Sequence, residues 1–241
     1  MSTLARPKVP PRAEVRAMPP LQNGDRLTAE EFERRYDAMP DLKKAELIDG
    51  VVYMAPPVSF DAHGGPHFDL IGWLGLYRAH TPGVRGGDNA TLRLPLNNRP
   101  QPDAFLVIDP GRGGQTRIDD DGYIVGGPEL VAEVAATSAN YDLHDKLAVY
   151  RRNDVREYVV WRVFDREIDW FVMRNGQYER LAPGADGLYR SEVLPGLWLD
   201  PQALIAGNMP RLLQLMQEAA ATPEHAAFVA RLQQAAAQRT P

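Results

Sequence analysis

The segment LVAEVA, at Leu130–Ala135, constrains the fold of this chain more than any other feature. A short apolar run of this kind is typical of a buried β-strand, yet it contains the carboxylate of Glu133. Burying an ionised carboxylate costs free energy unless the group is paired or binds a metal. The alternative is a strand at a sheet edge, with Glu133 on a solvent-facing side that it shares with Val131 and Ala135.

A second carboxylate opens another apolar strand. Asp103 follows Pro102 directly and precedes the strand predicted at Ala104–Ile108. Two acids on neighbouring strands could hold a hard divalent cation such as Mg²⁺, which prefers carboxylate and water oxygens. The alternative for Asp103 is a local role, in which its side chain caps a turn after the proline.

Lys146 is the third candidate and follows Glu133 by 13 residues. It lies near the start of an amphipathic helix predicted over Tyr141–Asn153. If this helix packs back over the sheet, the ammonium group points at the two acids. There it could orient or help deprotonate an attacking water and stabilise charge on a phosphate. The alternative is a solvated helix residue. In combination with Asp103 and Glu133, the lysine indicates a phosphodiester hydrolase.

Glu46 and His63 are additional candidates. Glu46 could approach the site from the first predicted hairpin; alternatively it is a surface acid beside Lys43 and Lys44. His63 and His67 are four residues apart, which on a helix is the spacing of metal ligands. The Gly-Gly-Pro sequence between them interrupts a regular helix, so zinc is the weaker alternative.

The remaining patterns predict a mixed α/β fold with a central sheet flanked by helices. We predict a proline-rich extended or disordered tail at 1–26, a folded domain at 27–200 and a C-terminal helical extension at 201–241. Predicted helices lie at 31–38, 63–80, 141–153, 201–207 and 210–238. Predicted strands and hairpins lie at 45–55 (around Asp49-Gly50), 90–96, 104–108, around 121–122, 130–135, 157–163 and 168–174.

Composition excludes several classes of protein. The chain has no cysteine, and so no disulfides, thiolate metal sites or cysteine nucleophiles. Its net charge of −5 gives no bulk attraction for nucleic acid, which counts against a general DNA-coating protein. No apolar run approaches the roughly 20 residues that span a bilayer. The N-terminus lacks the apolar core of a signal peptide, so we expect a cytoplasmic protein.

The order of these motifs resembles the Uma-type family of putative restriction endonucleases over roughly 27–200. The residues that carry the resemblance are Glu46–Gly50, Ser59, His63, Pro102-Asp103, Pro128–Val134, Tyr141-Asp142, Lys146, Tyr150 and Val155–Tyr158.

This resemblance implies a PD-(D/E)XK nuclease-like, restriction-endonuclease-like fold with an additional N-terminal hairpin and C-terminal helices. It implies that Asp103 and Glu133 bind the metal, with Glu46 as a further acid and His63 at the edge of the site. The lysine expected two residues after the glutamate is absent, since Ala135 stands there. Lys146 matches the position from which this family supplies it.

We therefore predict an endonuclease that hydrolyses DNA with Mg²⁺, for which Mn²⁺ could substitute, and that acts as a homodimer. The first alternative is an inactive protein that keeps the nuclease fold for a binding or regulatory role. The second is a metal hydrolase of small phosphoesters.

Overall fold

The computed structural model describes residues 18–136 and 138–238. Residues 1–17, most of the predicted tail, lie outside the described residues. The rest of that segment is packed: Leu21 is buried in a small apolar cluster with Phe32, and Arg26 forms a β-bridge with Val51. Tertiary contacts therefore begin before the predicted domain boundary at residue 27.

Helices and strands alternate irregularly along the described chain. The helices are α1 (Ala29–Asp37), α2 (Gly65–His80), α3 (Ala139–Tyr141), α4 (Leu147–Arg152), α5 (Pro201–Ile205), α6 (Met209–Ala220) and α7 (Pro223–Ala237). Two single π-helical turns lie at Phe60–Gly64 and Asp142–Lys146, and a 3₁₀ turn at Pro110–Arg112. The strands are β1 (Ala45–Ile48), β2 (Val51–Met54), β3 (Val84–Gly87), β4 (Leu92–Arg93), β5 (Ala104–Ile108), β6 (Arg117–Ile118), β7 (Ile124–Val125), β8 (Leu130–Ala135), β9 (Glu157–Arg162), β10 (Glu167–Arg174), β11 (Gln177–Arg180), β12 (Tyr189–Arg190) and β13 (Trp198–Leu199).

The first elements form as their local sequence predicts. Thr28 caps α1 by accepting a hydrogen bond from the amide of Glu31 (3.3 Å), although the Glu31 carboxylate pairs with Arg35 instead of reaching back. Asp49 and Gly50 both have positive φ angles, 49° and 75°, as a two-residue type I′ hairpin turn requires. The predicted hairpin is therefore confirmed.

A six-stranded mixed sheet lies at the centre of the fold, in the order β11-β10-β9-β8-β5-β3. Only the pairing of β8 with β9 is parallel; the other four pairings in this sheet are antiparallel. Helices flank the sheet, which confirms the predicted fold class. Because β8 is an inner strand between β9 and β5, the alternative of an edge strand is wrong.

The two faces of β8 pack against different helices. Leu130, Ala132 and Val134 belong to the large core that includes α2 and the C-terminal helices. Val131 and Ala135 belong to the opposite core, with residues of α4. Because strand side chains alternate, the side chain of Glu133 lies on the α4 face.

Two predictions about secondary structure are wrong. The strand at 90–96 is only β4, because the chain turns at Leu96 and Asn97, both with positive φ. The helix at 210–238 is two helices, since Pro223 begins α7 and Thr222 caps it by accepting from the amide of His225. No described helix is long and apolar enough to cross a membrane.

We predict that Gly127→Ala destabilises the protein by about 1–3 kcal/mol, the usual cost of overpacking. A Cβ at this position would lie 2.2 Å from the Asn153 carbonyl oxygen and 2.8 Å from the Val155 amide, both backbone atoms. Urea unfolding measures the loss. Gly75→Ala is the matched control, because a Cβ there meets nothing within 4 Å and alanine favours a helix. Equal stability of Gly127→Ala and wild type would contradict the described packing.

Candidate active site

Asp103 lies immediately before β5 and is held at both carboxylate oxygens. Its Oδ2 accepts hydrogen bonds from the Val134 amide (2.9 Å) and from His63 Nε2 (3.2 Å). Its Oδ1 accepts from Lys44 Nζ (3.0 Å). Burial acts to raise the pKa of Asp103, but the His63 hydrogen bond and the Lys44 charge outweigh it and hold the pKa well below the usual range. The turn-cap alternative is therefore wrong.

Glu133 is 3% exposed and lies beside Asp103, as predicted. Its Oε1 accepts from Lys146 Nζ and from the Tyr150 hydroxyl, both at 2.9 Å. Its Oε2 accepts from the Asp103 amide (3.3 Å), which links the two acids directly. Burial and the negative charge of Asp103 raise the pKa of Glu133 to about 8, against the opposing effect of Lys146.

Lys146 is buried among three carboxylates. Its Nζ lies 2.9 Å from Glu133 Oε1, 3.0 Å from Glu46 Oε1 and 3.7 Å from Asp142 Oδ1. Burial acts to lower the pKa of Lys146, but these three charges raise it well above the usual value. The ammonium group therefore stays protonated at neutral pH. It can donate hydrogen bonds and stabilise negative charge, but it is poorly suited to deprotonate water.

Glu46 joins the same cluster from β1. It is buried, and its Oε1 accepts from the Gln101 amide (2.7 Å) in addition to its ion pair with Lys146. The alternative of a surface acid is wrong. The first hairpin therefore places one acid of the site, as predicted.

The two histidines face Asp103 and do not form a zinc site. His67 Nε2 donates to the Asp103 carbonyl (2.9 Å), while His63 contacts the Asp103 carboxylate. The chain stays helical between them, because the π-turn at Phe60–Gly64 runs into α2 and Pro66 occupies the first turn. In the described part of the chain, no three side chains of His, Asp or Glu are grouped to hold a metal by themselves.

Three residues of the cluster were not among the predicted site residues: Lys44, Asp142 and Tyr150. Asp142 and Tyr150 each lie four residues from Lys146, so the spacing on one helix face could have identified them. Lys44 precedes Glu46 by two residues, which is the spacing of one strand face. Nothing local, however, indicates that Lys44 reaches Asp103, which is 59 residues away in the chain.

The formal charge of the cluster is negative. Glu46, Asp103, Glu133 and Asp142 are four buried carboxylates. The two ammonium groups within ion-pair distance of them belong to Lys44 and Lys146. With all four carboxylates ionised, the cluster would carry two net negative charges; at neutral pH the excess is smaller, because the pKa of Glu133 is raised to about 8.

The donor atoms of the cluster are carboxylate oxygens, the type of ligand that a hard divalent cation prefers. Mg²⁺ is usually held by one or two carboxylates and completes its shell with water and substrate phosphate oxygens. Asp103 and Glu133 supply two carboxylates on adjacent strands. Glu46 as a third direct ligand stays a prediction, since its Oε1 is engaged by Lys146 and Gln101.

Comparisons with known proteins agree on the fold. The family model described as Uma2, putative restriction endonuclease, matches residues 29–202. Among solved structures, the chain is similar to a putative nuclease belonging to DUF820 from Anabaena variabilis, with a TM-score of 0.52 and 14% sequence identity. The match covers 74% of this chain and 99% of that one, and at this identity it shows the fold alone. Comparison with curated protein sequences gives no match.

We predict that Lys146→Met destabilises the protein by about 3–5 kcal/mol, because it leaves buried carboxylates without their shared counter-ion. Chemical denaturation at neutral pH measures the loss. Lys43→Met is the control, since Lys43 is exposed and forms no ion pair with the described residues. A change below about 0.5 kcal/mol in Lys146→Met, within the range of ordinary surface substitutions, would contradict this burial.

Proposed function

This chain belongs to the Uma2 family of putative restriction endonucleases, and we propose that it is a Mg²⁺-dependent endonuclease that hydrolyses DNA phosphodiester bonds. The proposed site is the cluster around Asp103, Glu133 and Lys146. A homodimer that cuts both strands, and a cytoplasmic location, belong to the same proposal.

The buried charge of the cluster is the observation that supports this proposal most. Four buried carboxylates face two ammonium groups, and part of this excess of acid is held as a proton on Glu133, whose pKa is raised to about 8. A divalent cation could replace that proton as the balancing charge. Buried charges are costly unless they are paired or bind a metal. In the proposal, Asp103 and Glu133 hold the ion. When bound, it supplies charge neutralisation and lowers the pKa of a coordinated water.

In this proposal, the protein's own side chains hold the two metal-binding carboxylates in place and stabilise the charge that develops on the phosphate. The Tyr150 hydroxyl and the Lys146 ammonium fix the orientation of Glu133 through its Oε1. His63 and the Val134 amide fix Asp103 through its Oδ2. In this proposal, Lys146 stays charged, orients the attacking water and stabilises the negative charge that develops on the phosphate.

A second candidate is an inactive nuclease-fold protein with a binding or regulatory role. The observation in its favour is that Lys44 and Lys146 already contact the two strand carboxylates. In a protein that never binds a metal, such pairs would serve stability alone. Metal binding separates the two candidates, because only an active site of the proposed kind needs the ion.

We predict that the purified protein cleaves plasmid DNA with Mg²⁺ or Mn²⁺ and that chelation by EDTA stops cleavage. Asp103→Asn and Glu133→Gln should each lower the cleavage rate by at least about 100-fold, because each removes a charge that holds the metal. Gel analysis of supercoiled, nicked and linear plasmid measures the rates.

The matched control is Asp61→Asn, which removes an exposed acid from the same π-turn that carries His63. It should cleave like wild type. Equal activity in wild type, Asp103→Asn and Glu133→Gln would mean that this cluster is not the active site. Calorimetry that detects neither Mg²⁺ nor Mn²⁺ binding would favour the inactive candidate.

A further inference from the structure

Lys44 is bonded differently from Lys146, although both are ammonium groups of the same cluster. Lys146 contacts three carboxylates, and its side chain is 4% exposed. Lys44 contacts one carboxylate, that of Asp103, and its side chain is 23% exposed. Its second partner is the neutral side-chain oxygen of Asn89 (3.0 Å). Lys44 can therefore move from its position at a much smaller electrostatic cost than Lys146.

The two oxygens of Asp103 are not equally available. Oδ2 is fixed by the backbone amide of Val134, which is part of β8, and by His63. Oδ1 accepts a hydrogen bond from Lys44 alone among the described residues. A cation that binds Asp103 therefore meets Lys44 at Oδ1, whereas competition at Oδ2 would require breaking a bond to the sheet backbone.

From this asymmetry we propose that Lys44 is a displaceable counter-ion, which holds Oδ1 of Asp103 until a divalent cation replaces it and then faces the substrate phosphate. The inference rests on the proposed metal site and assigns Lys44 as a positioning residue. In the metal-free protein, Lys44 supplies the ammonium charge beside Oδ1 of a buried carboxylate whose other oxygen is held by the Val134 amide and His63. Metal binding is therefore weakened by the free energy of the Lys44–Asp103 ion pair, because the entering ion has to replace that pair.

Displacement also gives the ammonium group a second use. A lysine is a mobile point charge on a flexible stem, which suits it to exchange partners. Once Oδ1 is taken by the metal, Lys44 is a cation beside the site without its carboxylate partner. The negative charge of a phosphodiester that enters the site can then pair with Lys44 in place of Asp103.

Calorimetric titration with Mg²⁺ tests the proposal without any measurement of cleavage. Lys44→Met removes the competing charge, so we predict that it binds Mg²⁺ about tenfold more tightly than wild type, which corresponds to ~1.4 kcal/mol. Lys44→Arg keeps the charge and should bind like wild type. Lys43→Met, a neighbouring exposed lysine without an ion pair to described residues, should also bind like wild type.

Thermal unfolding gives a second, independent measurement. Without metal, Lys44→Met should unfold at a lower temperature than wild type, because Asp103 has lost its counter-ion. Saturating Mg²⁺ should close this difference, since the ion then occupies Oδ1 in both proteins. Lys44→Gln, which keeps a polar contact for Asn89, replaces Lys44→Met if the methionine variant does not fold.

The outcomes separate this inference from the proposed function. Binding of Mg²⁺ by wild type with no tighter binding in Lys44→Met overturns the inference and leaves the metal site standing. Binding in neither protein overturns both. Binding that is detectable only in Lys44→Met overturns the inference, because the cation then does not displace Lys44 in wild type, and it also favours the inactive candidate.

Discussion

One buried ammonium group organises this site. Lys146 lies between carboxylates supplied by β1, by β8 and by its own helical segment, at distances of 2.9 to 3.7 Å. Without a cation at this point, burying the three acids together would cost more free energy, because they would lose their shared counter-ion in a low dielectric. The first hairpin, the central sheet and the helix over it are thus held to one another electrostatically as well as by their apolar contacts.

Local patterns predicted the elements better than they predicted the contacts between them. The strand at Leu130–Ala135 has the predicted bounds, and Asp49 and Gly50 have the positive φ angles of a type I′ turn at the predicted position. Asp103, Glu133, Lys146, Glu46 and His63, the set implied by the family resemblance, lie in one cluster of contacts. Lys44 was missed because its contact with Asp103 depends on how the loop before β1 packs, which no local periodicity encodes. The break before Pro223 was missed although a proline with a threonine before it is a local signal.

Two of the predicted site residues lie on π-helical turns. His63 is in the turn at Phe60–Gly64, and Lys146 ends the turn at Asp142–Lys146. A π-turn holds one more residue than the corresponding α-turn, so every later side chain is rotated by about 100° about the helix axis. In both segments the contacts with the two acids continue past the π-turn: His67 of α2 contacts the Asp103 carbonyl, and Tyr150 of α4 contacts Glu133.

The lysine of this cluster lies on a helical segment, at position 146, and not on the strand at position 135. This difference determines which parts of the fold must form before the lysine reaches Glu133. A lysine at position 135 would share a strand with Glu133, and its spacing from that acid would be set by the covalent chain alone. Lys146 instead reaches Glu133 only after α4 has docked on the sheet. A partly folded chain with its sheet formed would present acids without their ammonium partner. Formation of the complete cluster therefore depends on the packing of this helical segment against the sheet.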